Sequence, residues 1–218
     1  MKFLKVLAGI SGLKRPLGMI LPAMALALGL GAAPAGAQQA NSKAQEIANH
    51  FSSIKTMMGD FVQFGPRGDQ TGGKFYIARP GKVRFNYDAP SPMRVISDGR
   101  TLVVGNIKLG TWDQYPLSKT PLALLLDDKI DLTGKMVRSV KQDPDLVTIV
   151  LGDKSVFGDS SITMMFDPAT NDLRQWTITD AQGKETSVMI YNVKAGVDFA
   201  GSVFALPYDQ MKPTAQGK

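Results

Sequence analysis

Cysteine is absent from the 218 residues. The chain therefore gains no disulfide staple, cannot assemble the usual zinc set, and carries no lipobox cysteine of its own. Histidine is almost absent too: His50 stands alone beside Phe51 in a helical stretch, and no carboxylate run has calcium-loop spacing. No metal site is expected. Phosphate-cradling glycine motifs are missing, with neither a Walker A run nor a G-x-G-x-x-G following a strand. Gly158-Asp159-Ser160-Ser161 has the look of a lipase-type serine block, but such a nucleophile needs a base, and no histidine follows it. A turn entering a strand explains the string. Neither catalytic residues nor a cofactor is expected.

The chain also lacks an apolar run long enough to span a bilayer. Leu17–Leu30 is uncharged but falls short of the roughly 20 residues required, and Pro22 interrupts it. Lys2, Lys5, Lys14 and Arg15 precede this run, and Ala35-Gly36-Ala37 follows it. That order reads as a cleavable signal peptide over 1–37, leaving 38–218 as a single exported domain. Removing the leader lowers the formal net charge from +6 to +2. With that correction no basic stripe remains, and nucleic acid is not an expected partner.

Periodicity predicts an amphipathic helix over Asn41–Met58, with Ala44, Ile47, Ala48, Phe51, Ile54 and Met58 on one face. Ser42 and Gln45 fit a capping box, and Gly59 a helix stop. The period then shortens. Strands are expected near 61–64, 73–78, 82–87, 93–97, 101–106 and 111–115, separated by Arg79-Pro80-Gly81, Ala89-Pro90-Ser91-Pro92, Asp98-Gly99 and similar turns. Thr120 as N-cap and Pro121 at the first helical position predict a short apolar helix to Leu126. Asp127 and Asp128 then oppose its dipole, which points to a helix end in water. Five further strands are expected near 136–141, 146–151, 161–166, 173–179 and 185–193, and then an ordered tail that frays after about Met211.

About 11 short strands with few helices predict a mainly β fold, a curled antiparallel sheet or partial barrel with helices over one face. Strand parity puts Val83, Phe85 and Tyr87 on an apolar face opposite Lys82, Arg84 and Asn86. Phe75 with Ile77, the trio Ile162, Met164 and Phe166, and Trp176 with Ile178 are similarly paired. Eight methionines lie after residue 37, which suits an ordinary filled core and also an adaptable apolar cavity.

Gly59-Asp60-Phe61-Val62-Gln63 and the run from Gly73 through Arg79-Pro80-Gly81-Lys82-Val83-Arg84-Phe85-Asn86-Tyr87 resemble the periplasmic outer-membrane lipoprotein carrier family, LolA. The likeness continues through Ala89-Pro90, Val95–Gly99, the helix after Thr120-Pro121, and Asp180–Gly183. It implies an unclosed β-barrel whose hydrophobic cavity is covered by a helical lid. The implied cargo is acylated lipoproteins, received from an inner-membrane ABC transporter and carried through the periplasm to an outer-membrane acceptor or the outer membrane itself. It further implies a monomer in which Arg79 latches the lid. Phe75, Ile77, Val83, Phe85, Tyr87, Met164, Phe166, Trp176 and Ile178 would line the acyl-chain cavity, and Phe51, Ile54, Leu122 and Leu125 would belong to the lid helices. The family often has an aromatic at the place of Val83 and a tryptophan at that of Phe85, so a less tightly filled cavity is expected. The alternatives are a lid-gated lipid-binding or envelope-stress sensor on the same scaffold, and a lipid hydrolase using Ser160.

Overall fold

A computed structural model describes residues 35–130 and 136–211, with side chains from residue 43 onward. Most of the expected signal peptide lies outside the described residues, as does the chain beyond Met211. Eleven strands form one antiparallel sheet in the order β6-β5-β4-β3-β2-β1-β11-β10-β9-β8-β7. They are β1 (Thr56–Phe64), β2 (Gln70–Ala78), β3 (Lys82–Tyr87), β4 (Met93–Asp98), β5 (Thr101–Asn106), β6 (Thr111–Pro116), β7 (Val137–Gln142), β8 (Val147–Leu151), β9 (Ser161–Phe166), β10 (Leu173–Thr179) and β11 (Glu185–Ala195). The expected mainly β, unclosed sheet is what the chain forms: among the described residues β6 and β7 are its edge strands.

Side-chain chemistry sets the turns. Asp98 accepts from the backbone N–H groups of Arg100 and Thr101 (both 2.8 Å), and Asp180 does the same for Gln182 and Lys184 (both 2.9 Å). The sheet curls strongly. β3 and β10 are four strands apart in the order, roughly 19 Å across a flat sheet at ~4.8 Å per strand. Yet the rings of Phe85 and Trp176, one on each, lie 6.1 Å apart.

Helix α1 (Ala35–Ser53) and the short α2 (Leu122–Leu126) cover the inner face. Ala44, Ile47, Ala48 and Phe51 are buried, and Phe51 meets the Phe166 ring edge-on at 5.4 Å. Helix α1 departs from the expected bounds at both ends. It is already helical at Ala35, seven residues before Ser42, so Ser42 is no N-cap, and Gln45 instead donates to Asn49 within the helix. It stops at Ser53 because Ser52 and Ser53 turn their hydroxyls onto the carbonyls of Ala48 and His50 (both 2.6 Å), a local competition that weakens helix ends. Met57 and Met58 belong to β1. Thr120 closes the preceding 3₁₀ turn (Leu117–Lys119) through a 2.8 Å bond to Leu117 O, leaving Pro121 as the N-cap of α2. A four-residue helix α3 (Lys154–Phe157), capped by Asp153, was not anticipated.

The outer face is not uniformly wet, contrary to the expectation from β3. Ile96 and Val103 point outward and are buried under Leu206 and Met211 of the C-terminal segment, with Trp112 packed alongside. Arg84 donates to Val203 O at 3.0 Å, and Phe199 stacks edge-on against Tyr76 at 5.9 Å.

Gly59 sits at the sheet centre, where a Cβ would come within 2.8 Å of both the Phe75 ring and the Tyr191 carbonyl oxygen. Gly59→Ala should therefore lower stability by ~1–3 kcal/mol, a drop of several degrees in thermal midpoint. Calorimetry checks this: an unchanged midpoint would mean that β1 and β11 can part without loss.

Candidate functional site

At the end of β2, Arg79 is 8 % exposed and has no carboxylate in salt-bridge contact among the described residues. Its guanidinium donates to Ile54 O (2.7 Å), just past α1, and to Leu125 O (3.0 Å), in α2. One cation thus holds the C-terminal ends of both helices, where carbonyls lack intrahelical partners and the backbone dipole favours positive charge. Its Cζ lies 4.1 Å from the centroid of the Phe51 ring. Burial pushes the guanidinium down to about 10, against the opposing pull of Asp128 and Asp127, so it stays charged at neutral pH.

The backbone repeats the arrangement. Arg79 N donates to Lys55 O (2.7 Å) and Gly81 N to Leu126 O (2.9 Å), fastening the β2–β3 turn to both helix exits. Lys55 bridges to Asp128 Oδ1 (3.2 Å) and Asp128 O (3.3 Å), while Ser52 accepts from Ile130 N (3.0 Å). Asp128 is therefore answered by a cation. Exposure at a helix end is only part of its setting.

Beyond the helices lies a cavity of about 360 Å³. Phe85 and Tyr87 of β3, Met93 and Val95 of β4, Leu102 and Val104 of β5, Trp176 and Ile178 of β10 and Val188 of β11 give it apolar walls, with Leu122 of α2 on one side. Gln63, Met93, Val95, Val104, Thr120, Pro121, Ile178 and Thr186 of this lining are partly exposed, and Gln63, Met93 and Thr186 form its open side at the end of the sheet away from Arg79. There Tyr87 Oη donates to Gln63 Oε1 at 2.7 Å, and burial pushes the phenol up to about 12, the Gln63 bond acting against it. Every lining residue is uncharged. Such a lining suits an aliphatic ligand and offers no countercharge to an ion.

Comparison with known proteins gives this arrangement its family. Residues 52–207 match the model of "Outer membrane lipoprotein carrier protein LolA". The chain belongs to the LolA family. An outer-membrane lipoprotein carrier protein of Chromobacterium violaceum is 33% identical over 185 residues, covering 80% of this chain and 85% of that one. Its counterpart in Pseudomonas putida is 29% identical over 195 residues, covering 83% and 89%. Among solved structures, the LolA superfamily protein NE2245 of Nitrosomonas europaea aligns with a TM-score of 0.43 at 11% identity, over 76% of this chain and 98% of that one.

Of the nine residues expected to line an acyl-chain cavity, Phe85, Tyr87, Trp176 and Ile178 lie in the wall of the 360 Å³ cavity. Phe75, Ile77, Val83, Met164 and Phe166 face the same way but are fully buried in solid core beneath the helices. Parity assigns a face; it does not say how deep a helix presses on it. Phe51 and Ile54 sit at the Arg79 contact, Leu122 borders the cavity, and Leu125 supplies the carbonyl that Arg79 bonds. Sequence reasoning missed Met93, Val95, Leu102 and Val104, because Val95-Ile96 in β4 and Leu102-Val103-Val104 in β5 are continuous apolar runs that break the alternation. It also missed Lys55, although Asp127-Asp128 at a helix C-terminus signalled a needed cation. Ser160 precedes β9, its backbone carbonyl accepting from Arg138 (3.2 Å), whereas His50 Nε2 lies 3.8 Å from Asp172 Oδ1 beyond the other end of that strand, so the two are not brought together. The described residues contain no group of three His, Cys, Asp or Glu placed to hold a metal.

Proposed function

We propose that this LolA protein is a periplasmic carrier. It holds the acyl chains of lipoproteins in the apolar cavity, takes them from an inner-membrane ABC transporter, and delivers them toward the outer membrane without covalent chemistry. The reading is carried by one observation: a single buried cation ties both covering helices to the turn of the sheet that walls an uncharged cavity. Residues 1–37 supply the export signal, and Arg79 is the latch.

Each buried methylene is worth ~0.8 kcal/mol, so a dozen contribute ~10 kcal/mol and must never be left in water. With the helices closed, about 360 Å³ is room for a fragment of such a chain, given that an apolar cavity of about 150 Å³ takes up benzene. Loading therefore displaces α2, whose Leu122 borders the cavity, and cargo methylenes replace the lid's own leucines against the wall. Unloading restores the Arg79 hydrogen bonds, each worth ~1.5–3 kcal/mol for a charged donor, and that drives release.

Native mass spectrometry of the mature protein from the periplasm should find it bound to acylated lipoprotein. A stable non-acylated protein partner instead would favour the sensor reading, and ester turnover lost in Ser160→Ala would favour the hydrolase. Val104→Trp supplies a second check by filling the cavity from β5. The variant should be at least as stable as the parent, since an indole occupies empty apolar space, yet retain cargo at least tenfold less well. Undiminished retention would place the acyl chains elsewhere.

A further inference from the structure

The hairpin joining β5 to β6 ends in Ile107-Lys108-Leu109-Gly110. Leu109 is 71 % exposed and Ile107 46 %, and neither joins a core cluster. The turn does not need them. Asn106 Oδ1 accepts from Lys108 N (3.2 Å) and Leu109 N (3.1 Å), Gly110 takes the left-handed conformation (φ 63°), and Ile107 N donates to Pro92 O (2.9 Å). The backbone is thus fixed by Asn106 and Gly110, and polar side chains would serve equally well between them. A rigid turn that presents two aliphatic side chains around a lysine is built to meet something.

Its place in the sheet identifies what. Asn106 pairs with Met93, Asn86 with Arg94, and Tyr87 with Gly73, so the hairpin leaves the sheet at the level of Met93 and Tyr87. Those two residues line the cavity at its open side, where Gln63 also lies. The opposite end carries Arg79 and the helix exits. Apolar tips flanking a basic head suit the boundary between headgroups and acyl chains, where Lys108 stays among phosphates while Ile107 and Leu109 enter the hydrocarbon. Arg94, one rung back on the outer face, adds positive charge on the same side.

We infer that the tip Ile107-Lys108-Leu109 is a membrane-contact element that sets the open side of the cavity against a phospholipid surface. Two aliphatic side chains and a lysine give a weak, reversible contact, as a shuttle requires, whereas even a single long acyl anchor binds only marginally. The contact itself is independent of cargo; its use in delivery rests on the carrier reading above.

Flotation of the mature protein with phosphatidylcholine vesicles, with and without phosphatidylglycerol, tests this. The parent should float, and more strongly with phosphatidylglycerol. Leu109→Ser and Ile107→Ser should each lower partitioning roughly tenfold, the effect of withdrawing one aliphatic side chain from hydrocarbon. Lys108→Ser should remove only the dependence on phosphatidylglycerol. Val193→Ser, a half-exposed residue near the opposite end of the sheet, is the matched control and should float like the parent. All four variants should keep the parental thermal midpoint, and Leu109→Ser should keep its bound lipoprotein in native mass spectrometry. A parent that does not float, or a Leu109→Ser that floats unchanged, overturns the proposal. Flotation without lipoprotein binding would sink the carrier reading alone.

Discussion

Arg79→Leu should release the two helices while leaving the sheet folded. The guanidinium is buried, and burial pushes it down to about 10. Its unfolded value lies higher, so between the two the unfolded chain holds more protons, and raising pH through that window stabilises the fold. The charge, in other words, is a burden on global stability. Replacing a buried ion by an apolar side chain is often close to neutral for that reason. Removing it does, however, leave the carbonyls of Ile54 and Leu125 without their donor. Each is worth ~1–3 kcal/mol if it stays buried and unpaired, and helix separation is how both regain water. The expected result is a global unfolding free energy within ~1–2 kcal/mol of the parent, with amide exchange in 43–54 and 122–126 faster by about tenfold to a hundredfold. A dye that fluoresces in apolar surroundings should bind the variant and not the parent. Arg79→Lys should restore little, since one ammonium cannot span both carbonyls in the fixed fork of a guanidinium. Unchanged exchange in the helices would show that Lys55, Ser52 and the apolar contacts hold them without Arg79.

Much of this architecture was legible because its signals are local. β3 alternates cleanly as Lys82-Val83-Arg84-Phe85-Asn86-Tyr87, and its burial alternates with it. Turn residues fixed most boundaries within a residue or two, since an aspartate that caps its own turn acts within four positions. What escaped depends on distance in the chain. The end of α1 was misjudged because Ile54 and Met58 continue the helical spacing, while the competing claim on Met57 and Met58 comes from β2 and β11. The extent of the cavity was misjudged because solid core and cavity wall share one parity: Val83 and Phe85 are neighbours on a face, and only α1 and α2 decide which is capped. The C-terminal cover of Ile96 and Val103 is likewise a meeting of segments about a hundred residues apart, with no trace in either segment alone.

Phe85→Glu should abolish cargo retention and make stability fall as pH rises from about 4 to about 7. Phe85 is 5 % exposed, with ring centroids 5.0 Å from Phe61, 6.1 Å from Trp176 and 6.5 Å from Phe75, and it forms part of the cavity wall. Losing these contacts destabilises by ~3–5 kcal/mol, as for other buried phenylalanines. The carboxyl adds a separate effect. Every cavity-lining residue is uncharged, so burial disfavours the carboxylate and raises its folded value above the ~4.3 of the unfolded chain. Between the two values the folded state holds more protons than the unfolded one, so stability falls as pH rises. The variant should be least impaired near pH 4 and most impaired at pH 7, where an ionised wall would also repel an acyl chain. Phe85→Gln isolates the charge, because it loses the same ring contacts yet cannot ionise, and Phe85→Leu should keep substantial cargo binding. Urea midpoints of the Glu and Gln variants should therefore converge near pH 4 and separate by pH 7. If they ran parallel across that range, position 85 would be solvated, and a dry cavity behind the helices would have to be abandoned.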